Sequence, residues 1–144
     1  MPTPLQRTLY TARAEVTGGR AEGRGRTDDG QLDAGLRIPP EMGGPGGGTN
    51  PEQLFAVGYA ACFQSALEVA ARRERVDVSG STVRSQVHIG PVEGGAFGLA
   101  VVLEVEIPGA ERAAAERVVE AAHQVCPYSN ATRGNIDVDV RVVG

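Results

Sequence analysis

The 144-residue chain has no lysine and no tryptophan, only two cysteines, and six aromatic residues, three Tyr and three Phe. Each shortage excludes something. All 14 basic residues are arginine and they are scattered, so no basic patch marks a nucleic-acid partner. No uninterrupted apolar run approaches the roughly 20 residues of a membrane span. The opening MPTPLQRTLYTARAEV lacks the apolar stretch of a signal peptide. Neither nucleic acid nor membrane is therefore expected as a partner, and the cytoplasm is the expected compartment. Two cysteines there stay reduced, so a bond between them would be transient and catalytic rather than structural. The glycine run 43–48 has no Lys-Ser/Thr behind it, which argues against a phosphate-binding loop. Ser65 and Ser129 lack the elbow motif of a nucleophilic serine.

What remains is ordinary globular material, 41% apolar and 22% charged with a formal net charge of −4, suited to a single domain over 1–144. Residues 5–16 alternate as a strand, and 20–38 read as two short polar strands around the Asp-Asp-Gly turn at 28–30. The proline- and glycine-rich segment 39–48 excludes helix and regular strand; it is a solvated linker or a loop lying close against something. Residues 49–75 form the strongest helix signal, with Asn50 at the N-cap, Pro51 at the first helical position and Glu52 in the first turn. Its apolar residues cover most of the circumference, which predicts a buried helix, and in so small a chain hints at a second subunit. Gly58 costs that helix roughly 1 kcal/mol against alanine, so close packing or a kink is expected there.

Residues 76–93 and 95–109 read as a long hairpin turning near Gly94-Gly95. A second amphipathic helix follows over 109–129, with Ala113, Ala114, Arg117, Val118, Ala121, Ala122 and Val125 at helical spacing. It must end near Cys126, because a proline disfavours helical geometry in the residue before it. After a short turn the chain closes in a strand alternating at Ile136, Val138, Val140 and Val142. The order βββ-α-ββ-α-β is that of an α+β domain.

Cys62, mid-helix among alanines and aromatics, reads by itself as a packing residue. Apolar burial would raise its pKa and make it inert, unless a cation from elsewhere in the fold stabilised the thiolate. Cys126 has an equally plain reading as a helix-end residue. The two lie on or at the end of two helices that should pack together, and thiols so placed can form a disulfide if their Cα atoms come within about 7 Å. Zinc is the competitor, with Cys62, His88, His123 and Cys126 as possible ligands, but the spacings 26, 35 and 3 match no zinc pattern. Glu52 reads first as a helix-dipole carboxylate, Arg20 as a solvated arginine after Gly18-Gly19, and Arg133 as the close of a turn.

Taken together, TGGR (17–20), GGPGGGTNPEQLFAVGYAACF (43–63) and CPYSNATRGNI (126–136) resemble the Ohr/OsmC family, and most closely its organic hydroperoxide resistance branch. The resemblance runs over essentially the whole chain. It implies an OsmC-like fold in an intertwined homodimer, whose central helices are wrapped by β-sheets of both subunits. It also implies a thiol peroxidase that reduces organic hydroperoxides, fatty-acid hydroperoxides among them, to alcohols. Cys62 would be the peroxidatic thiolate, Cys126 the resolving thiol, and Arg20 with Glu52 the polar pair that activates Cys62. No bound cofactor is implied. The reductant would be an external dithiol of the lipoyl type, dihydrolipoamide or a lipoylated protein.

Glu52 and Cys62 are ten residues apart, about 15 Å along one straight helix, so they cannot share a site on it. Either the helix breaks near Gly58, or Glu52 and Arg20 serve Cys62 of the other subunit. An apolar lining of Ile38, Met42, Phe55, Tyr59, Phe63 and Phe97 would suit alkyl or acyl peroxides. The alternative function is a redox-responsive protein that binds an apolar ligand and uses the disulfide only as a switch.

Overall fold

The computed structural model describes residues 2–144. It is an α+β protein with two three-stranded sheets and three α-helices. Two compact units, Met1–Pro51 and Glu52–Gly144, divide the chain.

In the first unit β1 (Ala14–Thr17), β2 (Gly23–Thr27) and β3 (Asp33–Leu36) form an antiparallel meander. The Asp-Asp-Gly turn forms as expected. Thr27 Oγ1 donates to Asp29 Oδ1 at 2.7 Å and the Gln31 N–H donates to the same oxygen at 3.0 Å. These bonds, that from Gln31 first, hold the Asp29 carboxyl below the usual carboxylate range. β1 is shorter than the sequence pattern suggested. Its ladder with β2 starts at Ala14, opposite Thr27; before it comes one bond from the Asp28 N–H to the Arg13 carbonyl at 3.1 Å, where β2 enters its turn. At the β1–β2 turn Gly18 has φ 78°, and a Cβ there would lie 2.4 Å from the Glu22 carbonyl oxygen. Only glycine fits, and Arg20 follows on this turn, half-buried.

Segment 39–48 contains one turn of 3-10 helix, Pro40–Met42, where no helix of any kind was expected. Pro40 opens it with a preset φ and no N–H to satisfy. The segment is not a linker. The Thr49 N–H donates to the Gly35 carbonyl at 2.9 Å and the Arg37 N–H donates to the Thr49 carbonyl at 3.0 Å, folding the loop back along β3.

In the second unit α1 (Pro51–Glu74) is one continuous 24-residue helix. It is long and apolar enough to cross a membrane by length and composition alone. Residue-by-residue reading missed this because Gln64, Ser65 and Glu68 interrupt the apolar run. Its packing is that of a core helix: Tyr59, Phe63, Ala66, Leu67, Ala70 and Ala71 form one buried face. The opposite face, where the all-round apolar pattern hints at a second subunit, is exposed within the protomer, with Val57 at 72% and Leu54 at 38%.

β4 (Thr82–Pro91) and β5 (Phe97–Glu106) make the expected antiparallel hairpin, paired from Thr82↔Glu106 to Pro91↔Phe97. β6 (Val138–Val143) pairs with β5 in parallel, and a parallel pair needs a crossover connection. That crossover is α2 (Arg112–Val125) and α3 (Pro127–Thr132). Along β5 the period-2 pattern buries Val101, Leu103 and Val105, with Ile107 just past its end, against α1 and α2. Ser85 Oγ donates to the Ala56 carbonyl at 2.7 Å and Gln64 Nε2 donates to the Ser81 carbonyl at 2.9 Å, fixing β4 along α1.

The buried positions of α2 are Ala115, Val118, Val119 and Ala122, with Cys126 after them. Only Val118 and Ala122 belong to the face read from the sequence, because an alanine-rich helix offers two neighbouring stripes of equal hydrophobicity and the sheet selects between them. α3 is a helix where a turn was expected, and Pro127 stands at its first position, where proline is favoured.

Gly58 serves close packing and not a kink: a Cβ there would stand 3.0 Å from the Tyr128 hydroxyl and 3.3 Å from Cε2. Gly58→Ala is expected to bring none of the roughly 1 kcal/mol that alanine adds to a helix interior, because the Tyr128 ring must shift to admit the methyl. Urea unfolding checks this, and a full gain would show that Tyr128 moves at no cost.

Candidate active site

Cys126 occupies a single extended position, φ −64° and ψ 123°, between α2 and α3. The cause is local: helical geometry is disfavoured before a proline, so α2 must stop there and Pro127 starts the next helix. Cys126 has no exposed surface. Cys62 projects from the margin of the buried face of α1 and is half-buried. Both are thiols, and their sulfurs lie 3.7 Å apart, with Cys126 donating to Cys62. A disulfide has an S–S bond of about 2.05 Å, so closure asks for a local adjustment and no unfolding.

Within the protomer burial pushes the Cys62 thiol up, and the neighbouring Cys126 adds to the shift, while the Tyr128 N–H bonded to the sulfur opposes it. Taken with its own surroundings alone, Cys62 is therefore protonated at neutral pH. A nucleophilic thiolate needs positive charge brought to it.

Beside the sulfurs runs a polar chain that the sequence reading did not find. His123 Nδ1 lies 2.8 Å from Ser129 Oγ, Ser129 Oγ 2.9 Å from the Tyr59 hydroxyl, and Tyr59 3.2 Å from Thr132 Oγ1. Thr132 donates its proton to the Tyr128 carbonyl at 2.9 Å. Tyr59 then donates to Thr132, Ser129 to Tyr59, and the His123 Nδ1–H to Ser129, which places the imidazole proton on Nδ1. Tyr59 and Ser129 are fully buried and Thr132 nearly so, and such groups persist only with partners. Arg133 ties the end of α3 back, donating to Asn130 Oδ1 at 2.7 Å and to the His123 carbonyl. A proline at a helix start was the one sequence signal for α3. No periodicity links His123 to a serine six residues on.

The remaining expected residues scatter. Tyr59 and Phe63 have no exposed surface. Phe55 joins Tyr59 and Tyr128 in an aromatic cluster with centroids 5.7–5.9 Å apart. Phe97 stands 74% exposed at the start of β5, outside the core that holds the cysteines. Ile38 and Met42 belong to the first unit, half-buried and exposed respectively, and so does Arg20. Glu52 lies in the first turn of α1 with Oε2 shielded from solvent. Because α1 is unbroken, Glu52 stays about 15 Å from Cys62 along the axis. His88 is exposed on β4, and among the described residues no three His, Cys, Asp or Glu side chains are grouped to hold a metal.

Burial, with Arg133 adding and Glu120 opposing, pushes the His123 imidazole below its ordinary value. Such a group takes up a proton on unfolding, so its contribution is intact above about pH 6.5 and is lost as pH falls through the lower folded value. His123→Asn keeps a polar atom near Nδ1 and removes the titration. Its urea midpoint is expected to drop less than the wild type's between about pH 7 and pH 5.

A family model of OsmC-like proteins matches residues 44–141. The chain is 53% identical over 135 residues to an organic hydroperoxide resistance protein of Xanthomonas axonopodis pv. citri, covering 92% of this chain and 94% of that one. Among solved structures, an organic hydroperoxide resistance protein of Elizabethkingia anophelis superposes with a TM-score of 0.91 at 46% identity, covering 96% and 99% of the two chains. OhrB of Bacillus subtilis superposes with a TM-score of 0.86 at 43% identity, covering 94% and 100%. With its fold, its two cysteines and this likeness over nearly its full length, the chain belongs to the OsmC-like family, in its organic hydroperoxide resistance branch.

Proposed function

We propose that this chain is a cytoplasmic two-cysteine peroxidase that reduces organic hydroperoxides, including those of fatty acids, to alcohols. The observation that carries the reading is the pair of sulfurs 3.7 Å apart, one half-buried and the other enclosed. The Cys62 thiolate attacks the terminal peroxide oxygen; the O–O bond breaks, and the alkoxide leaves with a proton as alcohol. The Cys62 sulfenic acid then condenses with Cys126, forming the disulfide and releasing water, which spares Cys62 from further oxidation. An external dithiol of the lipoyl type, dihydrolipoamide or a lipoylated protein, reduces the disulfide by two exchanges and is itself oxidised to a cyclic disulfide. The relatives named for organic hydroperoxide resistance support the substrate class.

Thiolate formation falls to Arg20, a permanent cation that also donates hydrogen bonds to the peroxide oxygens. Glu52 holds that guanidinium through bidentate geometry. The unbroken α1 favours service between subunits of a homodimer, since its own Glu52 cannot reach Cys62 along the helix. The exposed Val57 and Leu54 on the same helix support a second copy there, which would extend the apolar lining for an alkyl chain.

With dihydrolipoamide as reductant, wild type is expected to consume many equivalents of cumene hydroperoxide. Cys62→Ser abolishes the reaction, and Cys126→Ser leads to over-oxidised Cys62. Oxidation of one equivalent only would mark a switch instead of an enzyme. A mixed dimer of one Cys62→Ser chain and one Glu52→Ala chain keeps one intact site if the sites are shared, so roughly half the turnover remains. Complete loss would place Glu52 and Cys62 of one site on the same chain.

A further inference from the structure

We infer that the His123–Ser129–Tyr59 hydrogen-bond chain is a clamp that positions Cys126 for bond formation with Cys62, and so governs the disulfide-forming step separately from the attack on peroxide. The inference rests on the two-cysteine chemistry proposed above and assigns it positioning residues.

Cys126 is the one residue between α2 and α3 in extended geometry. Its sulfur is held only as well as the two helices are held to each other. The contact from His123 to Ser129, 2.8 Å long, spans this junction from the last turn of α2 to the first turn of α3. The contact from Ser129 to Tyr59, 2.9 Å long, ties the same junction to α1, one turn before Cys62. The three anchors thus belong to the three helices whose relative placement fixes the sulfur–sulfur distance. Ser129 has one proton and reaches both neighbours, so its loss releases two bonds at once.

The clamp bears mainly on one step. Attack on peroxide uses Cys62, which the continuous α1 positions, the junction touching its sulfur through the Tyr128 N–H. Condensation requires the Cys126 sulfur to approach from 3.7 Å to a bond of about 2.05 Å. If the junction is loose, the sulfur spends less time aligned and the intramolecular rate falls, as for any reaction that relies on held geometry. His123 has one further role in this scheme: its Nδ1–H is a hydrogen-bond donor, a part that asparagine's amide nitrogen can fill and leucine cannot.

The test uses 5,5′-dithiobis(2-nitrobenzoate) and no peroxide. The Cys62 thiolate displaces one thionitrobenzoate anion, forming a mixed disulfide. The Cys126 thiolate then attacks the Cys62 sulfur and expels the second anion, closing the protein disulfide. Wild type is expected to release two equivalents in two resolved phases. Ser129→Ala and His123→Leu change the first phase little and slow the second about tenfold, the worth of one hydrogen bond. His123→Asn restores the second phase. Thermal unfolding on the same samples checks that each variant is folded; if Ser129→Ala does not fold, the half-buried His123 pair carries the test alone. An unchanged second phase in both variants overturns the inference, and so does equal slowing of both phases or a His123→Asn protein as slow as His123→Leu. Failure of the peroxidase reading would show elsewhere, as absent hydroperoxide turnover by a wild type that still releases both equivalents.

Discussion

The burial of one face of α1 governs everything else in the second unit. Tyr59, Phe63 and Leu67 lie on that face without exposure, against β5 and α2, and together they fix the rotation of the helix about its axis. Cys62 precedes Phe63 by one residue, about 100° around the helix, so it falls at the margin of the buried face. One side of the sulfur meets Cys126 and the other stays partly open. A rotation that exposed Cys62 would carry Phe63 out of the core, and one that buried it fully would bring exposed Ala61 inward. Hydrophobic packing thereby sets the exposure of a reactive group that takes little part in the packing.

The second cysteine is placed by a different force. Proline's steric demand on the preceding residue stops α2 at Cys126, and proline's fitness for the first helical position starts α3 immediately. The chain changes direction with one residue, and Cys126 is held from both sides. The packing of Gly58 beneath Tyr128 lets α3 come close to α1. In that arrangement the Tyr128 N–H bonds the Cys62 sulfur and Tyr59 joins the polar chain. A glycine that weakens a helix locally is what allows the second helix element to reach the first.

The electrostatics around Cys62 oppose its ionisation within one protomer, because burial and a neighbouring thiol both favour the neutral form. A thiol in such surroundings ionises only where positive charge is brought to it. The polar chain beside it carries its protons in one direction, with Thr132 satisfied separately by the Tyr128 carbonyl. His123 enters as the donor at the head of the chain, and burial and Arg133 favour its neutral form.

Much of this was legible in the residues. The strong helix at 51–74, the β4–β5 hairpin and the alternation of β6 follow from hydrophobic periodicity over long segments. The end of α2 at Cys126 follows from proline sterics. Other features lay beyond sequence. The buried face of α2 shifted from the one read, since alanine-rich stripes are nearly equivalent until a sheet selects one. The strand at 5–16 shrank to Ala14–Thr17 because its partner runs out at Asp28. The helical nature of 127–132 was hidden by polar residues that look like a turn. The sequence by itself determined that two cysteines sit at defined points on two helices, because local sterics and periodicity act between near neighbours. Tertiary structure alone decided that their sulfurs lie 3.7 Å apart beside a chain linking His123, Ser129 and Tyr59, because residues up to seventy positions apart meet only once the whole core has packed.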